Sequence, residues 1–142
     1  MSTQGLEQYQ ARTIQTASPG QLVVMLYDGF LRFAGQAQEA LERGDLVQAA
    51  NRLTRAQDIV QELRVTLDMS QGVIAQNLAS LYLYVTERLT QARLRKAPGE
   101  VEEARRLMAD LRGVWAQIAA TPKPAATTGT AAPAYVGVNL AG

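Results

Sequence analysis

The sequence predicts an all-α protein: an antiparallel, up-down-up-down four-helix bundle. Apolar residues recur every three or four positions in four successive segments, the period of one helix face. Capping and breaking residues separate these segments: Ser18-Pro19-Gly20, Arg43-Gly44-Asp45, Asp68-Met69-Ser70 and Lys96-Ala97-Pro98-Gly99. The connections are short, which favours antiparallel neighbours.

The first helix is expected over about 18–43. Ser18 suits the N-cap and Pro19 the first helical position, and Gln21 can reach back to complete a capping box. Its stripe reads Val23, Leu26, Phe30, Phe33, Ala37, Leu41. Gly44 follows as a residue free to turn left-handed and end the helix. Asp45 caps the second helix, about 45–68, whose stripe is Leu46, Ala49, Leu53, Ala56, Val60, Leu63, Leu67. Its spacing alternates strictly between three and four, the seam of coiled-coil-like packing.

The third helix is expected over about 70–96, with its start blurred by Gly72. Ile74, Leu78, Leu81, Val85, Leu89 and Ala92 form its stripe. The fourth, about 99–120, carries Val101, Ala104, Met108, Leu111, Trp115 and Ile118, with Leu107 and Val114 widening the apolar face. Residues 1–17 form a polar leader with three apolar anchors, Leu6, Tyr9 and Ile14, suited to cap part of the bundle. Residues 121–142 are rich in Thr, Pro, Ala and Gly, a composition too poor in apolar residues to build a core, so disorder is expected there. The run Tyr135-Val136-Gly137-Val138-Asn139-Leu140 is nevertheless apolar enough to dock.

At 142 residues this is one domain, large enough to build its own core. There is no cysteine, so no disulfide is expected, and a reducing interior suits the chain. No run approaches the ~20 apolar residues that cross a bilayer. The N-terminus MSTQGLEQYQ lacks the features of a signal peptide, so a cytosolic location without membrane insertion is expected. The net charge of +1 gives no field that would select nucleic acid. Without His or Cys, Ser–His and Cys–His nucleophiles are excluded and the best metal ligands are missing. No catalytic residue, metal or cofactor is expected.

The charged clusters have ordinary explanations. Arg88, Arg93, Arg95 and Lys96 gather toward the end of the third helix, where the helix dipole favours cations. Glu100, Glu102 and Glu103 stand at the start of the fourth, where it favours anions. Asp28, Asp58, Asp68 and Asp110 lie near apolar stripes, but no spacing forces two of them together for acid–base work.

The apolar surplus is more informative. Val24, Met25, Tyr27 and Leu31 fall outside the first stripe, Leu83 and Leu94 outside the third, and Leu107 and Val114 outside the fourth. Tyr82 and Tyr84 are about 200° apart around their helix, so both cannot face one core. Tyrosines also suit the rim of a core, but Tyr, Met and aliphatic residues outside a core are the materials of a binding groove or dimer contact. A protein that holds another polypeptide is therefore expected, with a homodimer in the unbound state as the competing use of the same surface.

Several blocks resemble the flagellar secretion chaperone family, FliS. They are Tyr9…Thr16-Ala17-Ser18-Pro19…Leu22…Met25-Leu26-Tyr27-Asp28-Gly29, Ala56-Gln57-Asp58-Ile59-Val60…Leu63…Leu67-Asp68, Ala75-Gln76-Asn77-Leu78…Leu81-Tyr82…Tyr84, and Leu111-Arg112…Trp115. The similarity is collinear over roughly residues 6–119. It implies a non-enzymatic helical bundle that binds the C-terminal region of newly made flagellin, prevents premature polymerisation and delivers it to the flagellar type III export apparatus. The matching groove positions are Met25, Tyr27, Leu67, Asp68, Asn77, Leu81 and Tyr84, and the matching cap positions are Leu6, Tyr9 and Ile14. Arg12 stands where the family often has Asn, and the 121–142 tail has no clear counterpart.

Overall fold

A computed structural model describes residues 17–120; the cap anchors Leu6, Tyr9 and Ile14 and the 121–142 tail lie outside the described residues. Four helices fill almost all of this span: α1 (Pro19–Glu42), α2 (Leu46–Val65), α3 (Val73–Arg95) and α4 (Pro98–Ala120). A single 3-10 turn, Met69–Gln71, lies between α2 and α3.

The helix ends follow local chemistry. The Ser18 hydroxyl accepts from the Gln21 amide, while the Gln21 side chain accepts from the Ser18 amide, a complete capping box. Asp45 caps α2 by accepting from the Gln48 amide at 3.1 Å. Gly44 takes φ +79°, the left-handed turn expected after α1. Asp68 accepts from both the amide and the hydroxyl of Ser70 and so fixes the 3-10 turn. These bonds favour the charged carboxylate and hold its pKa below the ordinary 3.8. Gly72, at φ +75°, then redirects the chain into α3, which begins three residues later than the cap signals imply.

Adjacent helices pack in a ring, α1 on α2 and α4, and α3 on α2 and α4. Contacts between neighbours run in opposite senses. Gly20 approaches Ala119, Asp28 pairs with Arg112 and Gln38 bonds Arg105 as α4 is followed backwards. α1 has the closest backbone approaches, helped by the small buried residues Gly29, Ala34, Ala37 and Ala40.

The core is one cluster drawn from all four helices. Ala49, Leu53, Ala56, Val60 and Leu63 of α2 and Val101, Ala104, Met108 and Trp115 of α4 are buried as their stripes predict. On α1 and α3 the expected stripes hold at Val23, Phe30, Ala37 and Leu41 and at Leu78, Val85, Leu89 and Ala92, and slip by one residue at the other two positions of each. Tyr27 and Ala34 are inside, whereas Leu26 and Phe33 are only half-buried. On α3, Ala75 and Tyr82 are inside, Leu81 is half-buried and Ile74 is exposed. Leu46 and Ile118 at their helix ends are exposed rather than core, and Leu111 is half-buried. The Tyr27 and Tyr82 hydroxyls meet at 2.6 Å, tying α1 to α3 through the middle of the bundle. Phe33 instead lies at the edge, under the guanidinium groups of Arg32 and Arg52.

Candidate partner-binding groove

The α3–α4 seam changes character along its length. At the end nearest the α3–α4 connection it is polar. Arg88 Nη1 donates to Glu100 Oε2 at 2.7 Å, Arg95 approaches the other oxygen of Glu100 at 3.7 Å, and the Tyr84 hydroxyl donates to Glu103. The Arg88 guanidinium also sits 5.4 Å from the Tyr84 ring centre. Donation to Glu103, together with partial burial and the nearby negative charge, favours the protonated phenol and raises its pKa. Burial opposes the charge on Arg88, and Glu100 and Glu87 more than offset it. The Nε of Arg88 is buried without a hydrogen-bond partner among the described residues.

Below this latch the seam is apolar. Helical periodicity carries the flank of α3 from Arg88 and Tyr84 through Leu81 and Asn77 to Ile74. The matching flank of α4 runs from Glu100 and Glu103 through Leu107, Leu111 and Val114 to Ile118. Ile74, Val114 and Ile118 are 57%, 54% and 37% exposed, while Leu81, Leu107 and Leu111 are half-buried. The seam is therefore an open strip whose floor touches the core and whose rim is aliphatic. Such a strip fits the apolar face of an incoming helix.

The sequence-derived groove residues divide into three groups. Asn77, Leu81 and Tyr84 share the α4-facing flank of α3. Leu67 and Asp68 lie at the α2–α3 junction, at the apolar end of the strip, where Leu67 is buried and Asp68 is engaged in capping. Met25 lies on the other side of α4, in a shallow depression it shares with Val24, Ala116 and Ala119. Tyr27 is a correction: it is fully buried and bonded to Tyr82, so its side chain is not offered to a partner.

Glu100, Glu103 and Arg88, which read in the sequence as helix-end charges, close one end of the strip. The signal was the antiparallel register. Once Arg88 is opposite Glu100, Tyr84 falls opposite Glu103 one turn further on.

Comparison with known proteins agrees with the early blocks. The profile of the family described as "Flagellar protein FliS" matches residues 2–122. The chain is 36% identical over 109 residues to a flagellar secretion chaperone FliS of Bacillus subtilis, covering 77% of this chain and 81% of that one. To the Salmonella typhimurium flagellar secretion chaperone FliS it is 38% identical over 107 residues, 74% of this chain and 79% of the other. An Escherichia coli protein of the same description is 35% identical over 111 residues, 77% and 82% of the two chains.

Proposed function

Because the chain belongs to the FliS family of flagellar secretion chaperones, we propose that it binds the C-terminal region of flagellin along the α3–α4 strip and keeps it from polymerising before export. The observation that carries this reading is the exposed aliphatic rim of Ile74, Val114 and Ile118 over the half-buried floor of Leu81, Leu107 and Leu111. Apolar area removed from water is worth about 25 cal/mol per Å². Ordering a disordered partner offsets part of that gain and keeps the complex reversible enough for hand-over. Tyr84 and Asn77 supply polar contacts at the edge of the strip.

In this scheme the chain acts in the cytosol as a binding protein without catalysis, and it passes flagellin to a component of the type III export apparatus. When flagellin is absent, the segment 1–17, with Leu6, Tyr9 and Ile14, covers apolar surface that flagellin would take. A homodimer is the competing arrangement, and light scattering across a concentration series separates the two. Calorimetry with the flagellin C-terminal segment tests the groove. Leu81→Ala and Tyr84→Ala should each weaken binding about tenfold or more, while Val47→Ala, on exposed α2 surface, should leave it unchanged. Full affinity in both groove variants refutes the assignment.

A further inference from the structure

A second surface lies at the opposite end of the bundle, where α1 ends, α2 begins and α3 ends. Leu41, Leu46, Ala49 and Leu53 line an apolar pocket of about 170 Å³, and Arg93 and Lys96 stand at its wall. Apolar cavities near 150 Å³ hold a benzene-sized group. This pocket therefore has room for a large apolar side chain.

Its two cations differ from their neighbours. Arg88 and Arg95 pair with Glu100, and Arg43 approaches Asp45. Among the described residues neither Arg93 nor Lys96 has an ion-pair partner. Lys96 also occupies a left-handed conformation, φ 55° and ψ 42°, the only non-glycine with positive φ among the described residues. Glycine or asparagine fills such a C-cap position at least cost. A lysine held there places a charged side chain at the pocket at the expense of local strain. Leu94, 70% exposed, adds apolar surface on the same turn of α3.

We infer that this end of the bundle is a docking site for an acidic amphipathic segment of another protein, one leucine-sized side chain entering the pocket and flanking carboxylates meeting Arg93 and Lys96. Charge complementarity selects this occupant: an apolar pocket walled by two unpaired cations disfavours a basic segment and gains little from a neutral one. The α3–α4 strip opens toward the other end of the bundle, so both surfaces can be filled at once. The chaperone thus has a contact point that stays free while its main groove is occupied.

The test is an amide chemical-shift titration of the full chain with an acetylated helical peptide carrying one leucine flanked by glutamates, run beside its glutamine counterpart. The glutamate peptide should bind saturably, with shifts at Leu41, Leu46, Leu53, Arg93 and Lys96. The glutamine peptide, and the Arg93→Glu/Lys96→Glu variant titrated with the glutamate peptide, should each bind at least tenfold more weakly. Lys96→Gly separates recognition from folding. It removes the cation and the strain together, so binding should fall several-fold while the thermal midpoint holds or rises. Equal binding of the two peptides, indifference to charge reversal, or shifts confined to the α3–α4 strip would overturn the inference.

Discussion

Removing the hydroxyl of Tyr27 should cost stability and leave partner affinity alone. Both rings are fully buried, and the two hydroxyls meet at 2.6 Å. A hydrogen bond of this kind contributes roughly 0.5–1.5 kcal/mol net, and a buried hydroxyl deprived of its partner loses more. Tyr27→Phe and Tyr82→Phe should therefore each cost about 1–2 kcal/mol. In a bundle of this size that lowers the thermal midpoint by several degrees, at roughly 4–8 °C per kcal/mol. The double variant removes both oxygens together, so its cost should be about 1 kcal/mol less than the sum of the single variants. Urea denaturation of the four proteins, with the denaturant slope unchanged, gives the cycle. Strict additivity would mean that the hydroxyls are not coupled. A tenfold loss of flagellin-segment affinity in Tyr27→Phe would refute its placement in the core.

Three further outcomes are expected. Leu63→Ala, at a fully buried position, should cost about 2–5 kcal/mol in urea unfolding, whereas Leu83→Ala, at an exposed one, should stay within about 0.5 kcal/mol. The excess stability of the parent over Asp68→Asn should be present at neutral pH and vanish in acid. The folded pKa of Asp68 is depressed by Ser70, so its contribution is full above the ordinary 3.8 and is lost as pH falls through the lower folded value; a difference that grows on acidification contradicts the capping role. Deleting residues 1–17 should strengthen flagellin-segment binding or raise its on-rate, as surface plasmon resonance would register, and identical kinetics would exclude the segment as a competitor.

How far the sequence could be read depends on what set each helix's orientation. α2 was legible because its neighbours ask for one narrow seam and its stripe contains no rival apolar flank. Ala49 through Leu63 were therefore placed correctly by spacing alone. α1 was harder because it is flanked closely by both α2 and α4, so its buried arc is wide. Hydrophobicity alone then takes Leu26 and Phe33 into the stripe ahead of Tyr27 and Ala34. Close backbone approach adds Ala34 and Ala40 to the expected Ala37, and it leaves Phe33 at an edge where arginines cover it.

The tyrosines explain the remaining error. Placing Tyr27 outside the α1 stripe shifted two of its members, Leu26 in place of Tyr27 and Phe33 in place of Ala34, by one residue, about 100° around the axis. The same preference chose Leu81 over Tyr82 and Ile74 over Ala75 on α3. One bond corrects both helices, because a tyrosine is stable in the core when its hydroxyl has a partner, and here each tyrosine is the other's. That partner lies 55 residues away in sequence, out of reach of any local pattern. The geometric clue was nevertheless present: Tyr82 and Tyr84 cannot share a face, so one had to turn inward. With Tyr82 inside, Tyr84 falls on the α4-facing flank beside Leu81 and Asn77. The bond that removes Tyr27 from the candidate groove thus also orients the helix that carries the rest of it.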